Sequence, residues 1–521
     1  MTRAAFLLVL LLALPARAQS ARPDGATFST ERVGSVLAAA MEFIVPRSLD
    51  PTTPPQIAEW GLRGLTALDP ALATDLQGGL LQLLAAGEPV FRREAPAEAS
   101  ARAWAQASAD VGLAAWTVSE AVRRAGVQGF IQSFFDEVFN HLDPYSRYVP
   151  PGAARGSRAR GSGEAGVGIR LGGRGGEIIV EEVKFGGEAA AAGIRPGDRV
   201  LAVDDRSVRG RDARTVAGWI AGEDGTAVSL TLRGRDGRVR TIELEREAVP
   251  PETVFAERLG DALVVRISAF GRDTEQRLAD ELQRGLSAGG RGGGVRGVVF
   301  DLRGNRGGLL RQAVAATDVV LSAGPIATTA GRNPQAAHRW AAGGGDGTGG
   351  RPIVVLVDGR SASAAEIMAA ALSDNGRAVV VGSSTLGKGL VQTIAPLPDG
   401  GELYVTWSRV LAPRGWPIQG LGVLPQVCTS LGRDALERQL AALGRGRPAL
   451  AQALAAHRAA RAPVPAARVV ELRDACPAAE GREADLTAAR HLLDHPTAYA
   501  AALLPGPGAP RPPGRPRGHG G

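Results

Sequence analysis

The sequence predicts an α/β protein: a core of alternating strands and helices behind a smaller strand-rich domain and a helical N-terminal region. Three observations predict it. Short β-branched runs, GVVFD (297–301), IVVLV (353–357) and AVVV (378–381), are bounded by turn residues, and the first two lead into helical patterns. Between 166 and 247 the runs GVGIRL, IIVEEV, RVLAVDD, VSLTLRG and VRTIELERE read as strands, with one short helical stretch at 215–221. Between 29 and 150, apolar residues recur at three- and four-residue intervals.

A chain of 521 residues has room for about three domains of roughly 150 residues each. The formal charge is +7, with arginine spread along the chain. No compact basic run with interleaved aromatics occurs, so a nucleic-acid partner is not indicated; a solvated arginine surface is.

The first residues, MTRAAFLLVLLLALPARAQS, read as a signal peptide: Arg3, an apolar stretch from Ala4 to Leu14, and Ala16-Arg17-Ala18 before the expected cut. Cleavage after Ala18 (segment 1–18) is expected, with an uncleaved anchor as the lesser alternative. No other stretch of about 18 apolar residues occurs. A periplasmic or secreted protein, soluble or peripheral to a membrane, is therefore expected. Cys428 and Cys476 could pair in an oxidising compartment or stay as buried thiols. No Cys/His cluster points to a metal.

In 29–150 the helical segments are Arg32–Ile44, Pro55–Leu68, Leu72–Leu84, Ser100–Ala125 and Val127–Leu142, punctuated by Pro46, Pro51, Pro54 and Pro55. Residues 152–163 read as a linker, 341–351 as an exposed loop, 431–503 as helical and 504–521 as disordered.

The core carries the candidate chemistry. Only Lys184 and Lys388 are lysines among 60 basic residues. Arginine keeps its proton, whereas a desolvated lysine can act as a base. Lys388 sits between two glycines in a loop joining apolar strands. Upstream, Ser361 or Ser363 opens a helix after IVVLV and Asp358-Gly359, where free backbone N–H groups can hold an oxyanion. Taken singly, Ser363 reads as a helix cap and Lys388 as a surface cation. Together they form a possible nucleophile and base. None of the six histidines lies in this block.

The stretch SASAAEI (361–367), then DNGRA (374–378), then TLGKGLVQ (385–392) resembles the C-terminal processing peptidases, the tail-specific serine proteases of family S41. Their pattern is S-A-S-A-S-E-I, D-x-x-R-A and T-F-G-K-G-x-x-Q. The resemblance implies Ser363 as nucleophile, Lys388 as base 25 residues on and Gln392 as the residue orienting it. Ala365 and Leu386 depart from the pattern without removing a reacting group. The DLRGNRGG turn (301–308) resembles the family's L-D-L-R-x-N-x-G-G. It implies an oxyanion hole from the N–H groups of Gly308 and Ala364, with Asp301 and Arg303 bracing the turn. The turn lacks G-x-x-x-x-G-K-[ST], which places nucleotide binding far below.

LDPYSRY (142–148) resembles the family's L-D-P-H-S-x-Y, and GLGVLPQV (420–427) its closing G-x-G-I-x-P-D-V, with Gln426 in place of Asp. GIRPGDRVLAVDDRSVRG (193–210) resembles a PDZ domain. A PDZ domain takes a peptide as an added strand and holds its C-terminal carboxylate on a loop, here Gly166, Val167, Gly168 and Ile169. Lys184 could approach that peptide or simply be solvated.

The resemblance implies a crotonase/ClpP-like core at 252–430, a PDZ domain at 164–248 before it, and helical regions at 29–150 and 431–503. It implies a serine endopeptidase acting on polypeptides held by their C-termini, with no metal or organic cofactor. The N-terminal helices could serve a homo-oligomer, an activating adaptor or the substrate path. A catalytically silent PDZ scaffold of the cell envelope is the alternative.

Overall fold

A computed structural model describes residues 27–154, 165–174, 177–183, 188–222, 225–248, 253–287 and 294–506. The expected signal peptide with its cut after Ala18, Lys184, most of the 152–163 linker and the tail from 507 lie outside them. No helix among the described residues is long and apolar enough to cross a membrane. The chain divides into two compact units, Met1–Glu42 with Thr52–His141, and Phe43–Pro51 with Leu142–Gly521.

The first unit contains helices Pro54–Arg63, Leu65–Leu68, Ala101–Val118 and Glu120–Asn140, besides most of Thr30–Ile44. Thr53, Ser100 and Ser119 start three of these helices by accepting a backbone N–H on the side chain. Ser119 also divides the helix expected over 100–125. Phe130, Phe134 and Phe135 are buried at the centre of this unit.

One expectation fails here. Leu72–Leu84 is not a helix but two strands of an antiparallel sheet: β1 (Leu72–Gln77), β2 (Leu80–Ala85) and β3 (Glu88–Glu94). The leucine spacing suits either structure. Gly78 and Gly79, at φ +59° and +78°, decide it by making a two-residue hairpin turn. Leu81 and Leu83 then turn inward while Leu80 stays exposed, as a period of two requires.

In the second unit, β4 (Arg147–Val149) precedes a strand-rich domain. Within that domain β5 (Ala165–Gly166) pairs with β12 (Glu247–Ala248). Strands β6 (Ile169–Arg174), β7 (Glu177–Val183), β8 (Arg199–Val203), β10 (Ala227–Arg233) and β11 (Val239–Glu245) form one antiparallel sheet, with β9 (Arg206–Ser207) added to β8. The order β11-β10-β8-β7-β6 leaves β6 on an edge. Helix Ala213–Ile220, capped by Asp212, buries Val216 and Ile220 and runs beside β6.

The core that follows has two sheets. The first is ordered β13 (Val254–Leu259), β14 (Ala262–Ile267), β15 (Gly297–Asp301), β18 (Ile353–Val357), β19 (Ala378–Gly382), β22 (Val427–Cys428). It is parallel except for the β13–β14 pair. Every residue of β15, β18 and β19 is buried, which is why they read as unbroken apolar runs. The second sheet is antiparallel: β17 (His338–Ala342), β16 (Gly324–Ala330), β21 (Glu402–Leu411), β20 (Leu390–Pro396), with β4 paired to β21.

Five helices lie between 433 and 502. Cys428 and Cys476 are joined as a disulfide, which settles the alternative left open by their spacing. Gln426, at the departure from the family's Asp, is buried and behaves as strand: its side chain accepts from Val380 N–H at 2.9 Å. The stretch expected as an exposed loop, 341–351, begins with the last two residues of β17; beyond them most residues are exposed, and Asp346 pairs with Arg377 at 2.9 Å.

Among the described residues, the most buried ion pair joins Arg458 to Asp374 at 2.8 Å, with Trp416 Nε1 donating to the other carboxylate oxygen at 2.8 Å. Truncating one partner strands the other charge away from water. Asp374→Ala is therefore expected to lower unfolding free energy by about 3–5 kcal/mol in a denaturant titration. A change under about 1 kcal/mol would mean that water reaches Arg458 freely.

Candidate active site

The Ser363 turn is built at the carboxyl end of β18. Asp358 Oδ1 accepts the N–H groups of Arg360 at 3.0 Å, Ser361 at 2.9 Å and, across the sheet, Gly304 at 3.0 Å. Ser361 is fully buried, and its hydroxyl donates to Leu302 O at 2.8 Å. Ser361 therefore braces the turn, which leaves Ser363 as the serine at the helix start. Ser363 stands at φ +56°, ψ −114°, a conformation that non-glycine residues rarely adopt and that costs about 1–3 kcal/mol. Helix Ala364–Asp374 begins directly after it.

The Gly308 turn approaches from the end of β15. Asn305 is buried; it donates to Ile267 O at 2.7 Å and accepts Gly307 N–H at 2.8 Å. Its own carbonyl accepts Ala362 N–H at 2.9 Å, tying the two turns together. Gly307 lies so close that a Cβ there would sit 2.8 Å from Ser363 Cβ and 3.1 Å from Ala364 N. The next residue, Gly308, bridges to Phe270 through its neighbours: Phe270 N–H donates to Gly307 O and Leu309 N–H to Phe270 O. That pattern turns the Gly308 N–H away from the bridge. Asp301 and Arg303 brace the turn as expected, paired at 2.7 Å.

Lys388 reaches the same place through Glu366. This carboxylate has no solvent exposure. Oε2 accepts Ser363 N–H at 2.7 Å and Lys388 N–H at 2.9 Å; Oε1 accepts Gly387 N–H at 2.7 Å and the Thr385 hydroxyl. One side chain thus holds the backbone of both the serine and the lysine. Burial pushes the Glu366 carboxyl above its usual range, and the four donors oppose that shift. Behind the loop, a Cβ at Gly389 would meet Gln419 N at 2.2 Å, so only glycine fits there. Gly389 N–H donates to Gln419 Oε1 at 3.0 Å.

The Lys388 side chain is half-buried. Burial lowers its amine below the ordinary 10.5, and the positive charge of Arg147 acts the same way. Nζ lies 5.0 Å from the centre of the Tyr145 ring. Gln392 follows on β20, and its Nε2 donates to Thr406 Oγ1 at 3.2 Å. No hydrogen bond joins the Ser363, Lys388 and Gln392 side chains to one another. Such contacts commonly tighten only around bound substrate.

A groove of about 900 Å³ opens beside Gly308, lined by Leu309, Val314, Trp340, Val391 and Trp407 among others. Among the described residues, no group of three or more His, Cys, Asp or Glu side chains is placed to hold a metal.

The four expected carboxylate-loop residues stand apart from this site, in the strand-rich domain. Gly166 pairs with Glu247, Val167 is buried with its carbonyl accepting Ala189 N–H at 3.2 Å, Gly168 has φ +74°, and Ile169 opens the edge strand β6.

Glu366, Asn305, Asp358 and Tyr145 join the site without being among the residues that the sequence motifs single out for chemistry. Glu366 left a usable trace: it is the one carboxylate between Ala362 and Leu372, in an otherwise apolar helical stretch apart from Ser363. A carboxylate in that setting needs buried donors.

The Peptidase family S41 model matches residues 261–429, and a PDZ domain model matches 179–234. The carboxy-terminal-processing protease of Bartonella bacilliformis is 34% identical over 309 residues, covering 58% of this chain and 69% of that protein. The carboxy-terminal processing protease CtpA of Bacillus subtilis is 32% identical over 309 residues, covering 58% of this chain and 63% of that protein. Among solved structures, the photosystem II D1 C-terminal processing protease is 28% identical, covering 59% of this chain and 86% of that one at a TM-score of 0.35. On this extent of likeness, the chain belongs to the S41 family of carboxy-terminal-processing serine proteases and carries a PDZ domain.

Proposed function

We propose that this protein is an endopeptidase that recognises the C-terminal ends of polypeptides through its PDZ domain and cuts them with Ser363, Lys388 and Gln392. The observation that carries the reading is the shared carboxylate, Glu366, which gathers the backbones of Ser363 and Lys388 at one helix start. In the proposed reaction, neutral Lys388 takes the Ser363 hydroxyl proton while the oxygen attacks the scissile carbonyl. The N–H groups of Gly308 and Ala364 receive the oxyanion. The lysine then protonates the leaving amine, and water attacks the acyl-enzyme to release the acid. The groove beside Leu309 and Trp407 suits apolar side chains next to the cut.

Substrate capture is assigned to the edge strand β6. Its free backbone edge and the adjacent helix Ala213–Ile220 suit an added peptide strand, with the carboxylate received at 166–169. An exported, periplasmic or secreted location follows from the signal-peptide reading of residues 1–18.

Three outcomes test this. Against an unstructured polypeptide with an apolar C-terminus, Ser363→Ala is expected to lose about a thousandfold or more of the cleavage rate while still capturing the chain. Equal cleavage by the variant would remove Ser363 from the mechanism, and capture without cleavage by the wild type would favour the silent scaffold. Glu366→Gln retains one acceptor oxygen for four donors and is expected to cost about 2–4 kcal/mol in stability and most of the turnover; wild-type turnover would sink the clamp.

The pH dependence has a defined sign. The base acts when neutral, so kcat/KM is expected to fall as pH drops through a Lys388 value below 10.5. Arg147→Gln removes a charge that disfavours the ammonium, so that limb is expected to move to higher pH, by less in high salt. A limb that stays put, or moves down, contradicts Lys388 as the base.

A further inference from the structure

To orient a lysine base, Gln392 must offer Lys388 its oxygen rather than its NH₂ group. A neutral lysine acting as a base must aim its lone pair at the serine hydroxyl. Its own hydrogens then need acceptors. An amide turned the other way would offer N–H donors that compete for that lone pair.

We infer that Asp143, acting through the Thr406 hydroxyl, sets the orientation of the Gln392 amide and so positions the lysine base. This rests on the Ser363–Lys388–Gln392 reading above. Thr406 sits directly opposite Gln392 in the β20–β21 register. Its hydroxyl donates its single hydrogen to Asp143 Oδ1 at 2.7 Å. A carboxylate accepts and does not donate, so the direction of that bond is fixed. Thr406 Oγ1 is left able only to accept, and Gln392 must present Nε2 to it, at 3.2 Å. The second neighbour of Nε2, Leu390 O at 3.5 Å, is also an acceptor and selects the same face. Oε1 is thereby kept free to accept from the amine.

Asp143 is itself held in place. It accepts Tyr145 N–H at 2.9 Å, Ser146 N–H at 3.0 Å and the Ser146 hydroxyl, and that hydroxyl accepts Thr406 N–H at 2.9 Å. The pairing of β4 with β21 lays this turn along the strand that carries Thr406. The same turn puts the Tyr145 ring against the Lys388 ammonium position. The 142–146 turn, 220 residues before Ser363 by numbering (363 − 143), is in this account a positioning element of the catalytic centre.

The test compares Thr406→Val, Thr406→Ser and Asp143→Ala with Ser363→Ala in the full chain, measuring kcat and KM on one polypeptide substrate and thermal unfolding alongside. Thr406→Val is close in shape but lacks the hydroxyl. It is expected to lower kcat about ten- to a hundredfold with KM within about twofold, and Thr406→Ser to recover most of the loss. Asp143→Ala, which removes the acceptor and leaves the Thr406 hydroxyl able to donate to Gln392 Oε1, so permitting the opposite amide face, is expected to lower kcat in the same way. Wild-type kcat in Thr406→Val, equal impairment in Thr406→Ser, or a loss carried in KM alone overturns the inference. If Thr406→Val does not fold, wild-type kcat in Asp143→Ala overturns it instead. An active Ser363→Ala overturns the catalytic reading itself, whereas an inactive Ser363→Ala beside an unimpaired Thr406→Val removes only the positioning role.

Discussion

The Glu366 carboxylate is removed from water, and burial alone would drive it to take up a proton. Four hydrogens aimed at its two oxygens oppose this, three from backbone N–H groups and one from Thr385. Each donor belongs to a segment whose position matters: the residue before the helix, Thr385 in the loop after β19, and the glycine-lysine loop. If any of these segments shifts, a buried acceptor loses a partner, at about 1–3 kcal/mol. The arrangement behaves as a unit, because the carboxylate is stable only when the serine turn and the lysine loop are both in place.

Topology brings these segments to Glu366. Parallel strands deliver their carboxyl ends to one edge of a sheet, and β15 and β18 are neighbours there. The turn after β15 carries Asn305 to Gly308; the turn after β18 carries Asp358 to Ser363. They are joined by Ala362 N–H to Asn305 O and by Gly304 N–H to Asp358. The strain at Ser363 is tolerated because both sides of the turn are tied down in this way. The Asp358 carboxylate also accepts Gly481 N–H, so the C-terminal helical region contributes a brace to the same turn.

What the sequence disclosed follows from how local each signal was. Fully buried strands such as Ile353–Val357 announce themselves by composition, and a lysine in an arginine-dominated chain announces itself by contrast. The hairpin at Leu72–Ala85 did not, because leucines four apart satisfy two periods and only Gly78-Gly79 separates them. Gln426 stands where the family pattern has Asp, and its amide pairs with a strand backbone, a contact that the local sequence does not contain. Cys428 and Cys476 could be paired only once the fold put them together. Asn305, Glu366 and Thr406 act through partners distant in sequence, and no window of neighbouring residues contains those contacts.

The electrostatics of Lys388 carry a last consequence. Burial and Arg147 favour the neutral amine, whereas the face of Tyr145 favours the ammonium. With the side chain only half-buried, water still supports the charged form. On the proposed reading, a polypeptide lying across the cleft displaces some of that water and so acts in the same direction as burial. It cannot displace the Glu366 clamp, which is held beneath the loop by backbone groups. In this architecture the loop is fixed before substrate arrives, and what substrate can still change is the charge at its tip.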